Sequence, residues 1–198
     1  MRAAKIAALV SLAASVLCLG YAAYIPLKGA AAEMLIERAW SQSQAQGAAV
    51  LPWPWMDAKP LVRLSVPRLG AGEIVLDTGT GQALGFAPSH LQQTPPPGAL
   101  GLSVIAAHKN THFAFLQDII AGDIIEIEHI DRGVTRFKVT QLTIVDKDTS
   151  GIDMSAAKAA PQIALVTCYP FSTLSYGGPL RYIVYGVAIE EPQEARRA

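Results

Sequence analysis

Short apolar segments with a period of two residues fill most of the chain from residue 60 to residue 189. In the first of them, Val62, Leu64 and Val66 alternate with more polar neighbours, and Pro67 ends the run. This alternation is typical of a β-strand with one buried face. About eight such segments with little helical pattern predict a mainly β fold, either a closed barrel or a sandwich. The clearest segments are residues 61–66, 73–76, 102–107, 124–130, 134–145, 163–167 and 181–189.

The N-terminal region has a different pattern, because residues 6–27 form a stretch of 22 residues without a charge. A helix of that length spans the roughly 30 Å hydrocarbon core of a bilayer, which needs about 20 residues. Arg2 and Lys5 precede the stretch, so the positive-inside rule places the N-terminus in the cytoplasm and the body outside. We therefore expect residues 1–27 to be a cytoplasmic head and a single transmembrane helix. A cleaved signal peptide is the alternative, although its apolar region usually runs to only about 7–15 residues.

Three further regions complete the expected domain organisation. Residues 28–52 have helix-forming composition followed by a linker, and residues 53–190 hold the predicted barrel, with a short helix near residues 154–159. Residues 191–198 are charged and are expected to be a flexible tail. Trp53 and Trp55 stand between prolines, which predicts an extended segment lying on the barrel. As an interfacial membrane anchor they would be about 25 residues beyond the apolar stretch, which is far in sequence.

The charge balance argues against a nucleic-acid partner. Residues 28–198 contain 14 Lys and Arg (16 minus Arg2 and Lys5) and 16 Asp and Glu, a net charge of about −2. Nucleic-acid binding favours a clearly basic surface. The sequence also has no Gly-rich phosphate loop, no zinc-type cysteine cluster and no acidic cluster with calcium-ligand spacing, so no cofactor or metal is expected.

The chain has only two cysteines, and they are expected to lie on different sides of the membrane boundary. Cys18 is in the predicted transmembrane helix, whereas Cys168 ends the apolar segment 163–167. An unpaired thiol in an oxidising compartment is a candidate reactive group, and a position at the end of a strand leaves it partly exposed. The ordinary alternative is a small core residue, because free cysteine is often buried.

Two other chemically useful residues also stand at the ends of predicted strands. His108 follows segment 102–107, and Arg181 begins segment 181–189. A thiol, an imidazole and a guanidinium suffice for acyl transfer, in which they act as nucleophile, acid–base catalyst and oxyanion donor. Taken singly, His108 could equally be a hydrogen-bonded structural histidine, and Arg181 a solvated charge at a strand edge.

Three short sequence motifs resemble those of the sortases, which are membrane-anchored cysteine transpeptidases. They are Ala-His-Lys-Asn-Thr-His-Phe at residues 107–113, Ala-Leu-Val-Thr-Cys-Tyr-Pro at 164–170 and Leu-Arg-Tyr at 180–182. The second corresponds to the TLxTC signature, with Ala164 in place of the first threonine. The Trp-Pro-Trp segment and the Gly-Gly-Pro-Leu-Arg run are most similar to the Gram-negative branch, class GN. That branch usually has Gly-His-Arg-Asp-Thr-His-Phe, and this chain departs from it at Ala107, Lys109 and Asn110.

The resemblance implies an eight-stranded β-barrel, a periplasmic catalytic domain and an anchor in the inner membrane. It also implies a substrate protein with an LPxTG-like C-terminal sorting signal and an amine acceptor. By the same resemblance, Cys168 is the nucleophile, His108 the general acid and base, and Arg181 the clamp on the oxyanion or the substrate backbone. Thr167 is expected to contribute to the oxyanion region. The segments 145–161 and 169–179 are expected to border the site.

Competing interpretations rest on fewer residues. His108 and His112 have the i, i+4 spacing of a zinc hydrolase, but Lys109 stands where that motif has its catalytic glutamate. Papain-like enzymes place the cysteine before the histidine, the reverse of the order here. The Ser-x-Gly-Cys setting of L,D-transpeptidases is replaced by Val166 and Thr167. A non-enzymatic alternative is a membrane-tethered, exported β-barrel that binds a protein or peptide and has a structural Cys168.

Overall fold

The computed structural model describes residues 2–152, 160–172 and 178–189, and over these residues the chain forms a closed barrel of eight strands. This confirms the predicted fold class. The expected tail, residues 191–198, and the short helix expected near residues 154–159 lie outside the described residues. The strands are β1 (Pro60–Val66), β2 (Ala71–Leu76), β3 (Ser89–His90), β4 (Gly101–Ala106), β5 (Ile124–His129), β6 (Val134–Asp146), β7 (Pro161–Cys168) and β8 (Leu180–Ile189). The helices are α1 (Arg2–Gln46) and α2 (Gly81–Leu84), with 3₁₀ turns at Pro67–Leu69 and Ala114–Asp118.

The strand order around the barrel is β1-β2-β3-β4-β7-β8-β6-β5, and β5 closes on β1. Six of the eight neighbouring pairs are antiparallel, whereas β2–β3 and β4–β7 are parallel. Parallel neighbours need a crossover connection, and the β5–β6 hairpin lies in the chain between β4 and β7. The parallel pairing of β4 with β7 brings together the C-terminal ends of these two strands, which are about 60 residues apart in sequence.

Alternate residues of each strand fill the barrel. In β1 the burial alternates strictly, so that Val62, Leu64 and Val66 point inward as the sequence pattern predicts. The interior also receives Phe113 from the segment after β4, which is completely buried. This apolar filling makes the barrel a packed core, and polar chemistry is therefore confined to its rim and outer face. Other interior residues are Ile105, Ile125, Ile127, Phe137, Val139, Ile163, Leu165 and Val184.

Helix α1 extends without interruption through the apolar N-terminal stretch and into contact with the barrel. It contains a segment long and apolar enough to cross a membrane, and none of that segment is buried within the protein. A signal sequence passes the same test of length and composition. Farther along, Ala32, Ile36 and Ala39 are buried against the body, whereas Leu35 remains 38% exposed.

A second apolar cluster joins α1 to the outside of the barrel. Ile36 and Trp40 of α1 pack with Met56, Ala58 and residues of β2 in this cluster. Trp53 packs edge-on against Phe86, with ring centroids 5.6 Å apart. Trp55, by contrast, is 80% exposed. The Trp-Pro-Trp segment therefore lies on the body through Trp53, while Trp55 points into solvent.

The rim of the barrel is held by an ion pair between Arg68 and Asp123. Arg68 follows β1, and its guanidinium donates hydrogen bonds to both carboxylate oxygens of Asp123, which precedes β5. It also donates to the carbonyl of Asp118. The hydrogen bond from Arg68 lowers the pKa of the Asp123 carboxyl, and this effect outweighs the burial of the carboxyl, which acts in the opposite direction.

We expect Asp123→Asn to lower the thermal stability at neutral pH. The variant should also lose less stability than the wild type as the pH falls. The native-state pKa of Asp123 is below its ordinary value of 3.8, so its carboxylate stabilises the fold above about pH 4. That contribution disappears as the pH falls through the lowered native value. Thermal unfolding followed by circular dichroism between about pH 7 and pH 2.5 measures this effect.

Asp57→Asn is the matched control, because Asp57 is an exposed carboxylate on the same body. It should leave both the midpoint of unfolding and its pH dependence unchanged. Parallel curves for wild type and Asp123→Asn throughout the acidic range would contradict a stabilising Arg68–Asp123 pair.

Candidate active site

Cys168 is the last residue of β7, and β7 lies between β4 and β8. On the β8 side, Cys168 is the direct register partner of Arg181. The neighbouring Tyr169 N–H donates to the Leu180 carbonyl at 3.1 Å. Cys168 and Arg181 are therefore a non-hydrogen-bonded antiparallel pair, in which the Cβ atoms are closest, about 4.5–5.5 Å apart.

On the β4 side, the strand register leads to His108. The parallel pairing runs with a constant offset from Gly101↔Pro161 to Ala106↔Val166. One residue farther, the Ala107 N–H still donates to the Val166 carbonyl at 3.2 Å. Continued by one more residue, this register places His108 beside Cys168. Neighbouring strands lie about 4.8 Å apart, so we expect His108 and Arg181 to lie on opposite sides of Cys168.

Cys168 and Arg181 belong to the outer face of the sheet. Side chains alternate between the two faces of a strand, and Leu165 of β7 points into the barrel core. Cys168 is therefore on the opposite face, together with Ala164 and Val166. An apolar cluster covers this outer face below the thiol. Its buried members are Leu102, Val104, Ala164 and Ile183, and Leu91, Val145, Ile152, Val166 and Tyr185 pack against them.

Cys168, His108 and Arg181 are each half-buried. The Cys168 thiol has no disulfide partner. This degree of exposure differs from that of the neighbouring Ile163 and Leu165, which are completely buried. The structure thus pairs Cys168 with Arg181 at a partly exposed strand end, and the neighbouring strand β4 leads to His108 at the same end of the sheet.

The Arg181 guanidinium is held at the turn that enters β8. Its Nη1 donates to the carbonyl of Gly178 at 2.6 Å and to that of Leu180 at 2.9 Å. Within the described part of the chain, no carboxylate forms a salt bridge with it. A cation that is fixed by backbone carbonyls and not neutralised can stabilise negative charge developing next to Cys168.

Thr167 connects the two strand ends through a buried hydrogen bond. Its hydroxyl donates to the Ala107 carbonyl at 2.7 Å, and its side chain is almost completely buried. This bond joins the residue before Cys168 to the residue before His108. The geometry therefore supports a role in positioning, and the expected contribution of Thr167 to the oxyanion region stays a prediction.

Lys109 makes a contact that the sequence did not reveal. Its side chain is buried, and its Nζ donates to the Pro170 carbonyl at 2.6 Å. The bond ties the segment after His108 to the segment after Cys168. A buried ammonium group requires such a partner. The only signal in the sequence was a basic residue directly after the histidine, and the partner carbonyl could not be identified because it lies 61 positions away.

His112 is engaged elsewhere. Its Nδ1 lies 3.0 Å from the carboxylate Oε2 of Glu73 on β2, and both side chains are partly buried. The backbone between the two histidines turns back on itself, because the Phe113 N–H donates to the His108 carbonyl at 3.0 Å. The structure thus assigns His112 a hydrogen-bonding partner on β2.

Comparisons with known proteins identify the fold and the family. The profile of the sortase domain matches residues 64–189. Sortase A from Corynebacterium diphtheriae is 20% identical, with a TM-score of 0.61, and the match covers 70% of this chain and 64% of that one. The lid mutant of Streptococcus agalactiae sortase C1 is 22% identical, with a TM-score of 0.59, and the match covers 83% of this chain and 92% of that one. A sortase D5 transpeptidase from Clostridium perfringens is 21% identical, with a TM-score of 0.55 and coverage of 66% and 79%.

These structural similarities establish the fold, and the profile match establishes the family. The chain spans slightly less than two thirds of the length of the C. diphtheriae protein. No curated protein matches the sequence.

We expect Thr167→Val to destabilise the protein by about 1–3 kcal/mol, because the buried Ala107 carbonyl loses its donor. Thr167→Ser keeps the hydroxyl and should be considerably closer to wild type. Urea denaturation gives the free energy of unfolding for both variants. Equal stability of the Val and Ser variants would contradict a structural role for this hydrogen bond.

We expect iodoacetamide to alkylate Cys168 in the folded protein, because the thiol is half-exposed on the outer face. His108→Gln should slow the reaction if the imidazole assists formation of the thiolate. His112→Gln, which changes the same residue type four positions away, should leave the rate unchanged. Peptide mass spectrometry of the detergent-solubilised chain distinguishes Cys168 from Cys18. Modification of Cys168 only after unfolding would contradict an accessible site.

Proposed function

This chain belongs to the sortase family, and we propose that it works as a cysteine transpeptidase with Cys168 as its nucleophile. The observation that carries the proposal is the strand register around Cys168. In support of the proposal, Cys168 pairs with Arg181 of β8, and β4, which leads to His108, pairs in parallel with β7 on the other side.

The proposed reaction has two balanced steps. In the first, the Cys168 thiolate attacks the carbonyl carbon of a substrate peptide bond, and Arg181 stabilises the resulting oxyanion. The intermediate collapses as the C–N bond breaks, and the His108 imidazolium gives its proton to the departing amine. The products are a thioester on Cys168 and a peptide with a free amino terminus.

In the second step, an amine acceptor attacks the thioester carbonyl. Neutral His108 takes the proton of the attacking amine, the C–S bond breaks, and Cys168 leaves as a thiolate. A new amide is formed and both catalytic groups return to their starting forms. Water attacking in place of the amine would give hydrolysis by the same route.

For the substrate, we propose a protein with an LPxTG-like C-terminal sorting signal. The outer face below Cys168 supports this choice, because the apolar cluster there offers an extended surface to a Leu-Pro pair. Leu91, Val145 and Val166 are partly exposed and contribute apolar side chains to that surface, which rests on the buried Val104, Ala164 and Ile183. An extended peptide lying along β4 and β7 would bring its scissile carbonyl to the end of β7, where the thiol is.

We further propose that the enzyme is of the Gram-negative type, anchored in the inner membrane with its N-terminus in the cytoplasm and its barrel in the periplasm. The apolar part of α1 and the basic residues before it support this orientation. The Trp-Pro-Trp segment and the Gly-Gly-Pro-Leu-Arg run support the class, whereas Lys109 departs from its usual arginine and keeps only the positive charge. Its hydrogen bond to Pro170 gives that cation a structural purpose.

Incubation of the full-length, detergent-solubilised protein with LPxTG-like peptides should give a covalent acyl adduct on Cys168. Intact-mass spectrometry detects the adduct, and tandem spectrometry locates it. Cys168→Ala should form none. A folded sample that gives no adduct with any peptide of the set would favour the membrane-tethered binding module instead.

Arg181→Ala should lower kcat/KM for peptide cleavage by about 10²–10³ if the guanidinium serves the oxyanion. Arg181→Lys keeps the charge but loses the planar fork of donors, so we expect an intermediate rate. Lys138→Ala removes an exposed cation from β6 and is the matched control. Near-normal turnover of Arg181→Ala would contradict a role at the oxyanion and would favour the alternative that Arg181 is a solvated charge at a strand edge.

A further inference from the structure

The described residues form an open, mainly apolar groove of about 680 Å³ between the body and the part of α1 that directly follows the apolar stretch. One wall is α1 itself, from Lys28 to Leu35. The opposite wall consists of Trp53, Trp55 and Phe86. The proposed catalytic residues do not line this groove, so it requires a separate explanation.

The groove begins where the apolar stretch of α1 ends. A helix rises by about 1.5 Å per residue, so Lys28 is one step beyond Leu27 and Leu35 is about 12 Å beyond it. The polar layer on each side of a bilayer is about 5–7 Å thick. Because α1 is helical from Arg2 to Gln46, no flexible linker separates the barrel from a membrane crossed by residues 6–27.

Trp53 and Trp55 lie in the same groove as Lys28, although they are about 25 residues farther along the chain. Helix α1 ends at Gln46, and Gly47 adopts a left-handed conformation with φ of 67° that lets the chain leave the helix. The following segment then places Trp53 and Trp55 opposite Lys28 and Leu35. The separation of about 25 residues along the chain is therefore no measure of the distance in space between these tryptophans and the end of the apolar stretch.

The chemistry of the groove is that of a membrane interface. Trp55 is 80% exposed, and Trp53 packs edge-on against Phe86. The Lys28 ammonium lies 5.7 Å from the centroid of the Phe86 ring. Indole rings and lysines with long apolar stems concentrate at the headgroup level of membranes, where one end of each side chain is apolar and the other polar.

We propose that this groove and the Trp53–Trp55 segment are a docking surface for the phospholipids of the membrane that α1 crosses. Lys28 faces the lipid phosphate, and Trp55 enters the boundary between headgroups and acyl chains. The apolar surface of the groove is continuous with the exposed apolar surface of α1. Lipid therefore fits it better than a soluble protein. The proposal rests on the membrane anchor of the proposed function and is independent of the chemistry at Cys168.

Tryptophan fluorescence of the full-length chain in phosphatidylcholine nanodiscs tests the proposal, because the protein has three tryptophans with different surroundings. Trp40 is almost completely buried in the protein and serves as the internal control. The proteins to compare are wild type, Trp55→Phe and the double variant Trp53→Phe/Trp55→Phe. Lipids brominated near the top of the acyl chain quench only indoles that reach that depth. Acrylamide quenches indoles that face water.

We expect brominated lipid to quench wild type, and the quenching to fall at least about twofold in Trp55→Phe and to vanish in the double variant. Efficient quenching of Trp55 by acrylamide, with none by brominated lipid, would overturn the proposal. Quenching that appears only when two protein molecules share a nanodisc would also overturn it, because a second copy would then fill the groove.

A cysteine measurement separates this proposal from the anchor on which it depends. In a Cys168→Ala background, Cys18 is the remaining thiol, and a water-soluble maleimide should not reach it if α1 crosses the bilayer. Protection of Cys18 together with unquenched Trp55 would refute the docking surface and leave the anchor intact. Reaction of Cys18 would refute both. Formation of the acyl adduct on Cys168 is measured separately and does not depend on either result.

Discussion

The parallel pairing of β4 with β7 is the constraint on which the proposed site depends. It brings the end of β4, and with it His108, beside the end of β7, where Cys168 is. The antiparallel pairing of β7 with β8 adds Arg181 from the other side. A slip of one residue in either register would turn a side chain from the outer face to the core. The filled barrel interior opposes such a slip, so the hydrophobic core and the candidate chemistry are specified by the same pattern of alternation.

Two side-chain hydrogen bonds further fix the segment around His108 against the segment around Cys168. The Thr167 hydroxyl fastens β7 to Ala107, and the Lys109 ammonium fastens the segment after His108 to Pro170. The first bond is buried and the second partly buried, and both link residues about 60 positions apart. The carbonyls of Gly178 and Leu180 orient the Arg181 guanidinium. Among the described residues, no acidic side chain forms a salt bridge with it. Preorganised charge of this kind is what acyl transfer requires at the oxyanion.

The sequence predicted the barrel well because alternation in strands such as β1 is a local signal. It missed β3, which has only two residues, and it could not foresee that β4 and β7 pair in parallel, because that contact is not local. Cys168, His108 and Arg181 were found from their residue types and strand-end positions, whereas Lys109 needed coordinates to show its partner. The sequence also could not predict that Trp53 and Trp55 lie in the same groove as Lys28, because this proximity depends on the path of the chain after Gly47.

A crystal structure with a peptide captured on Cys168 as a stable thioester or hemithioacetal would test the central claim most directly. The account predicts that the peptide lies beside Val166 at the end of β7, that its carbonyl oxygen accepts a hydrogen bond from Arg181, and that the His108 ring stands on the leaving-group side. A captured peptide whose carbonyl oxygen points away from Arg181, or a His108 ring on the far side of the barrel rim, would contradict it.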